Sequence, residues 1–127
     1  MRYLTPADLI VLHEALLAEF GGMRGITEAG FGRLEAVAAA PQASAFGEER
    51  YRGVAEKAGA LVYALVQNHP FWDGNKRIAG AALRLFVARN GARLAADDHA
   101  VQLFTTEIAR GKLRDGTMVA WVGDHIQ

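Results

Sequence analysis

This sequence predicts an all-α fold, and three observations carry that expectation. Apolar residues recur at helical spacing in one segment after another. No stretch alternates apolar and polar residues as a half-buried strand would. Proline, paired glycines and an Asn-Gly step stand where helices need starts and stops. At 127 residues, 51% of them hydrophobic, the chain fits a single domain with a real core, a compact bundle of about six helices.

The elements follow in order. Thr5-Pro6-Ala7-Asp8 supplies a hydroxyl cap, a first-turn proline and an acid at the positive end of a helix dipole. Leu9, Leu12, His13, Leu16, Leu17 and Phe20 continue that helix until Gly21-Gly22. A second helix is expected from near Thr27, through Leu34 and Val37, to just before Pro41, with Gly30 and Gly32 weakening its first turn. Residues 42–47 break the pattern and read as a loop or a short extended flap. A third helix covers about 51–67, with Val54, Ala58, Leu61, Val62 and Leu65 on one stripe, and Pro70 ends it at or just before His69.

Residues 75–90 form the most apolar helix, expected at the centre of the bundle and closed by Asn90-Gly91. Two shorter helices, near 97–110 and 117–122, complete it.

Composition excludes several classes. Lys+Arg and Asp+Glu are balanced at 14 each, so neither nucleic acid nor an anionic membrane is drawn by global charge. The absence of cysteine removes thiol and disulfide chemistry and suits a reducing compartment. The first residues lack a signal-peptide pattern, and no apolar run approaches the ~20 residues that cross a bilayer. A cytoplasmic chain is expected.

One segment concentrates chemical groups: Asn68-His69-Pro70-Phe71-Trp72-Asp73-Gly74-Asn75-Lys76-Arg77. His69 can act as a base near neutral pH. Asp73 can hold a divalent metal. Gly74 lets consecutive backbone amides face an anion, and Asn75, Lys76 and Arg77 open a helix whose dipole already favours phosphate. Cations at a helix start are otherwise unfavourable, so a bound anion is implied. Against this stand plainer readings: a histidine that caps its helix and an Asp-Gly step that only turns the chain.

The string HPFWDGNKR resembles the signature of the Fic/Doc family, H-P-F-x-[DE]-G-N-[GK]-R, at every fixed position. The Doc (death-on-curing) branch is the nearer likeness. Lys76 stands where the Fic branch proper has glycine, Gly21–Thr27 resembles a GGxxGI segment, and Phe86–Gly91 resembles an F-x-x-x-N-G helix end.

What the resemblance implies is specific. His69 would take the proton of the target hydroxyl, and Asp73 would coordinate Mg²⁺ bridging nucleotide phosphates. Gly74 and Asn75 would shape the anion hole, and Lys76 and Arg77 would neutralise phosphate. Pro70 and Phe71 pack the loop, and Trp72 occupies a variable position. Doc-type members are regarded as kinases that pass the γ-phosphate of ATP to a threonine of elongation factor Tu, so the expected substrates are ATP and a protein target. Transfer of AMP, as in the Fic branch, is the alternative. The second arginine of the Fic branch is absent, its position being Gly80; Arg84, two turns past Arg77, either compensates or is simply ion-paired.

HxxxDG also marks acyltransferases, but those need larger chains rich in sheet. His13, His99 and His125 show no paired metal-ligand spacing. His13 reads as lying beside an apolar stripe and the other two as surface residues. Arg84, Arg89 and Arg93 raise an RNA-cleaving toxin, though a solvated face fits a neutral chain better. A silent binding module is the third possibility. The 42–47 stretch reads equally as a plain loop or as the family's target-pinning flap. No inhibitory [ST]-x-x-x-E-[GN] helix occurs, so the resemblance implies restraint by a separate small antitoxin whose disordered tail binds the groove.

Overall fold

The computed structural model describes residues 1–127. Six helices follow the expected order: α1 (Pro6–Phe20), α2 (Gly30–Ala39), α3 (Gly53–Asn68), α4 (Asn75–Arg89), α5 (Asp98–Ala109) and α6 (Asp115–His125). A 3₁₀ turn (Ala40–Gln42) and a hairpin of two-residue strands, β1 (Ser44–Ala45) and β2 (Glu48–Glu49), separate α2 from α3. Strands this short leave no alternation to read. No helix is long and apolar enough to cross a membrane.

Helix α1 starts as its residues dictate. Thr5 Oγ1 accepts from the Asp8 amide at 3.1 Å and Asp8 Oδ2 accepts from the Thr5 amide at 2.9 Å, a reciprocal cap. Only Leu9 and His13 of its stripe are buried, while Phe20 is exposed, because the last turns face a cleft rather than the core. The chain after α1 departs from expectation. Ile26 forms an antiparallel bridge with Phe71, so α2 begins at Gly30 rather than near Thr27.

The centre of the bundle is shared. Helix α4 buries Ile78, Ala79, Ala82, Leu83, Phe86 and Val87, but its Ala88 and Arg89 face outward, so the apolar girdle is incomplete. Helix α3 buries at least as much, from Lys57 to Val66 with one exposed break at Tyr63. Small residues on α3 explain this: Ala58, Gly59, Ala60 and Ala64 let neighbouring helices approach, and a Cβ at Gly59 would already touch Val119 at 3.7 Å. Twenty-three buried apolar residues form one continuous cluster, so a single core serves all six helices.

Helix α5 is capped by Asp97, whose Oδ1 accepts from the Ala100 amide at 2.8 Å. Helix α6 is longer than its Gly116 and Gly123 suggest. Tertiary bonds hold its end: Arg93 and Gln127 exchange backbone hydrogen bonds at 2.9 Å each way, and Leu94 bridges Ile126. His125 is half-buried, with Nδ1 2.7 Å from the Trp121 carbonyl and its ring stacked on Trp121, whereas His99 lies at the surface as expected.

Asp8 also pairs with Arg89 at 3.0 Å, tying the start of α1 to the end of α4. The hydrogen bond from Arg89, then that from the Thr5 amide, lower the Asp8 pKa from 3.8 to about 2. A depressed carboxylate pKa contributes stability above the unfolded value, and this is lost as pH falls from 3.8 toward 2. Asp8→Asn should therefore cost about 0.5–1 kcal/mol at pH 7, read as a lower urea midpoint. The gap to wild type should shrink in the same assay at pH 3.

Candidate functional site

The expected site residues occupy the junction between α3 and α4. His69 follows α3 as its C-cap in the left-handed conformation, φ 45° and ψ 60°. For a non-glycine residue that conformation costs on the order of 1–3 kcal/mol and needs external support. Arg33 of α2 provides it. Its Nη1 donates to the carbonyl of Asn68 at 3.2 Å and to that of His69 at 3.4 Å, which also satisfies helix-end carbonyls. The His69 side is exposed.

Residues 70–73 are held by the segment between α1 and α2. The Thr27 amide donates to the Pro70 carbonyl at 2.9 Å and the Trp72 amide to the Gly25 carbonyl at 3.1 Å. Asp73 Oδ2 accepts from the Met23 amide at 3.0 Å. The approach is so close that a Cβ at Gly22 would stand 2.7 Å from Asp73 Oδ2, and one at Gly30 would stand 2.5 Å from the Pro70 carbonyl. Glycine is required at both places, and Gly22 also adopts φ +123°.

From inside, His13 supports the same loop. Its ring is buried, stacks on Phe71 with centroids 3.8 Å apart, and places Nε2 2.8 Å from the Asp73 carbonyl. Nε2 must carry the proton to donate there. His13, expected beside the apolar stripe, lies within it and faces the motif loop. The signal was its spacing of four from Leu9, which puts both on one helical face. Arg33 carried no comparable signal.

Gly74 turns the chain into α4 with φ 78° and ψ 20°. Asn75 is buried, and its side-chain amide is consumed by the loop: Oδ1 accepts from the Phe71 amide at 3.1 Å and Nδ2 donates to the Phe71 carbonyl at 2.9 Å. No side chain caps the start of α4 and no acid lies in its first turn. The helix end therefore presents unpaired amides and positive dipole.

That end opens into a cleft of about 580 Å³ between α1, α4 and α5, lined by Asp73, Gly74, Asn75, Lys76 and Arg77. Leu16 and Phe20 form an apolar wall, and the Arg77 guanidinium lies 4.5 Å above the Phe20 ring centroid. His69 does not line the cleft; it caps the end of α3. Trp72 is exposed, and Pro70 and Phe71 are buried as packing residues.

The far end of the cleft explains two other positions. A Cβ at Gly80 would come 2.8 Å from Val101 Cγ1, so α5 occupies the space that a larger residue would need. Arg84 lines the cleft but donates to the Ala96 carbonyl at 2.7 Å and to Asp98 at 3.1 Å, so it is ion-paired. Arg89 and Arg93 likewise have partners in Asp8 and Gln127, which leaves no row of free arginines for RNA.

An all-helical domain whose histidine-ended helix passes through a clamped loop into an uncapped helix start is the Fic-type architecture. The family model described as Fic/DOC family matches residues 3–87. Toxin Doc of Mycolicibacterium smegmatis is 44% identical over 96 residues, 76% of this chain and 70% of that protein. Protein kinase doc of Escherichia phage P1 is 35% identical over 94 residues, 74% of this chain and 72% of that protein. The chain belongs to the Fic/DOC family, in its Doc branch.

His13→Phe keeps an aromatic ring against Phe71 but removes the donor to the Asp73 carbonyl. Denaturant unfolding should show a loss of about 1–2 kcal/mol with helical content unchanged. An unaltered midpoint would show that the loop does not depend on this bond.

Proposed function

We propose that this chain is a Doc-type toxin that transfers the γ-phosphate of ATP to a hydroxyl of a target protein, with a threonine of elongation factor Tu as the acceptor. The observation that carries the reading is the uncapped start of α4, which brings Lys76, Arg77 and Asp73 to one cleft large enough for a nucleotide. The names of the two relatives, a toxin and a protein kinase, support it. Such a transfer needs mostly positioning and neutralisation of phosphate charge, which amides and cations at a helix start supply.

Magnesium fits this donor set. No group of three or more His, Cys, Asp or Glu residues forms a cage, so the protein offers a carboxylate and not a complete shell. A magnesium ion typically takes one or two carboxylates and completes its octahedron with phosphate oxygens and water. Asp73 would hold it, and the bound ion would neutralise charge on the phosphate oxygens.

In the proposed step His69 accepts the proton of the target hydroxyl as the oxygen bonds to the γ-phosphorus. The bond between that phosphorus and the bridging oxygen breaks, and ADP leaves. Lys76 favours γ- over α-transfer, because its side chain fills space that a glycine would leave for close approach of an α-phosphate. The cleft also suits an antitoxin tail folding as a helix. Leu16 and Phe20 would meet its apolar face and Arg77 a glutamate, Arg84 being already engaged by Asp98.

The test is incubation of the chain with bacterial extract and ATP labelled separately at the α and γ positions. Label should pass to protein from the γ position alone; label from α would mean nucleotidyl transfer, and none from either would favour an RNA-cleaving toxin or a silent binding module. His69→Ala should lower transfer by at least ~10²-fold with the fold intact. A rate within a few-fold of wild type removes His69 as the base.

Asp73→Asn retains an oxygen for the Met23 amide but loses the charge. ATP binding measured by calorimetry should lose its dependence on magnesium while the melting temperature stays the same. If Asp73 only turns the chain, the two titrations with and without magnesium will match those of wild type.

A further inference from the structure

Helix α3 is buried from Lys57 to Val66 except at Tyr63, and Tyr63 and Gln67, one turn apart on the same face, both reach solvent. They line a cavity of about 270 Å³. The end of α5 and its connection to α6 bound the other side with Arg110, Gly111, Leu113 and Arg114. This cavity shares no residue with the cleft between α1, α4 and α5, which takes Gln102, Thr105 and Thr106 from the preceding turns of α5.

Its polar walls are rich in donors. Two guanidiniums, a phenol hydroxyl and a side-chain amide line it, and no acidic residue does. Ion pairs form at Arg24, Arg52, Lys57, Arg84 and Arg89, but neither Arg110 nor Arg114 has a carboxylate within ion-pair distance. Even the acids nearest in sequence, Glu107 and Asp115, are absent from its walls. Arg110 caps the end of α5, where the dipole favours a cation. Arg114 is the N-cap of α6, where the dipole does not, and no side chain caps that start. Two like charges on one cavity repel, and an anion between them removes that cost.

We propose that this cavity is an anion site, which binds one carboxylate side chain of the acceptor protein beside the hydroxyl to be modified. Charge complementarity picks the chemistry. A guanidinium meets a carboxylate or phosphate as a two-pronged fork, and the hydroxyl and amide can donate to the oxygen sites the fork leaves free. Position picks the source. Gln67 and Tyr63 precede His69 on α3, so along the helix axis the cavity opens roughly 3–9 Å from His69. An acid about two or three extended residues from the acceptor hydroxyl can fill the cavity while that hydroxyl meets His69. The cleft assigned to ATP uses none of these residues, so the anion comes from the other substrate.

This role rests on the transferase reading above, and two measurements keep them apart. In the first, the isotope-labelled chain is titrated with inorganic phosphate and followed by NMR. Signals of residues 110–116, with the Arg110 and Arg114 side chains, should shift and saturate whether or not the chain transfers anything. Arg110→Gln with Arg114→Gln should abolish these shifts and spare any at Gly74–Arg77. In the second, purified elongation factor Tu is the acceptor. The double glutamine variant should raise its KM about fivefold or more, with kcat and the KM for ATP within about twofold and the melting temperature unchanged. Lysine at both positions keeps the charge without the fork and should recover part of the loss. Added salt should raise the acceptor KM of wild type and change that of the glutamine variant less.

Absence of saturable shifts over 110–116 in the wild-type chain overturns the anion site. Saturable shifts with an unaltered acceptor KM, or with a fall in kcat alone, overturn the acceptor role and leave a site for a free anion. If the wild-type chain transfers nothing to elongation factor Tu, the transferase reading itself falls, and the acceptor role with it, whatever the phosphate titration gives.

Discussion

The antiparallel bridge between Ile26 and Phe71 is the constraint on which the rest of the site depends. A loop joining two buried helices has backbone groups that need partners, and water cannot supply all of them at this depth. The 22–27 segment supplies them by running beside residues 70–73. Three bonds donated by backbone amides result, at Pro70, Trp72 and the Asp73 carboxylate. Only chains without a Cβ at Gly22 and Gly30 can come this close. His13 completes the enclosure from beneath, so the loop is gripped on both sides. The left-handed His69 and the left-handed Gly74 at its two ends are tolerated because everything between them is over-determined.

The same clamp decides what each motif residue is free to do. Asn75 spends its amide on Phe71, so it can offer an anion only its backbone. The Asp73 carboxylate keeps one oxygen bonded to the Met23 amide, which orients it, and no basic side chain pairs with it. Lys76 and Arg77 have no carboxylate partner within ion-pair distance, in contrast to Arg84 and Arg89, which do. In a chain whose charges balance overall, two unpaired cations at a helix start concentrate positive potential in one cleft.

Helix α5 shapes the other half of that cleft. Its Val101 packs against Gly80 at a distance no larger residue would permit, and its Asp98 holds Arg84. A residue larger than glycine at position 80 would therefore displace α5. Helix α1 contributes Leu16 and Phe20, apolar residues that leave the core to form a wall. An amphipathic stripe whose last turn is exposed thus lines the cleft.

By itself the sequence determined the helical class, the sites of the main helix ends and the identity of the motif. Those features are local: caps, prolines, glycines and a 3.6-residue period act within a few residues of one another, and a nine-residue motif needs no partner to be legible. The tertiary structure decided what depends on residues distant in the chain. It moved the start of α2 from Thr27 to Gly30, because Phe71 recruits Ile26. It placed a hairpin, Ser44–Ala45 paired with Glu48–Glu49, over the 42–47 stretch, and bonded Glu49 to the distant Lys57. It made His13 and Arg33 supports of the motif loop, though they lie 60 and 36 residues from the groups they hold. It left α3 as buried as α4, because small side chains admit neighbours on several faces. Each of these is settled by hydrogen bonds and close approaches between separate segments, for which a linear pattern of residue types carries no signal.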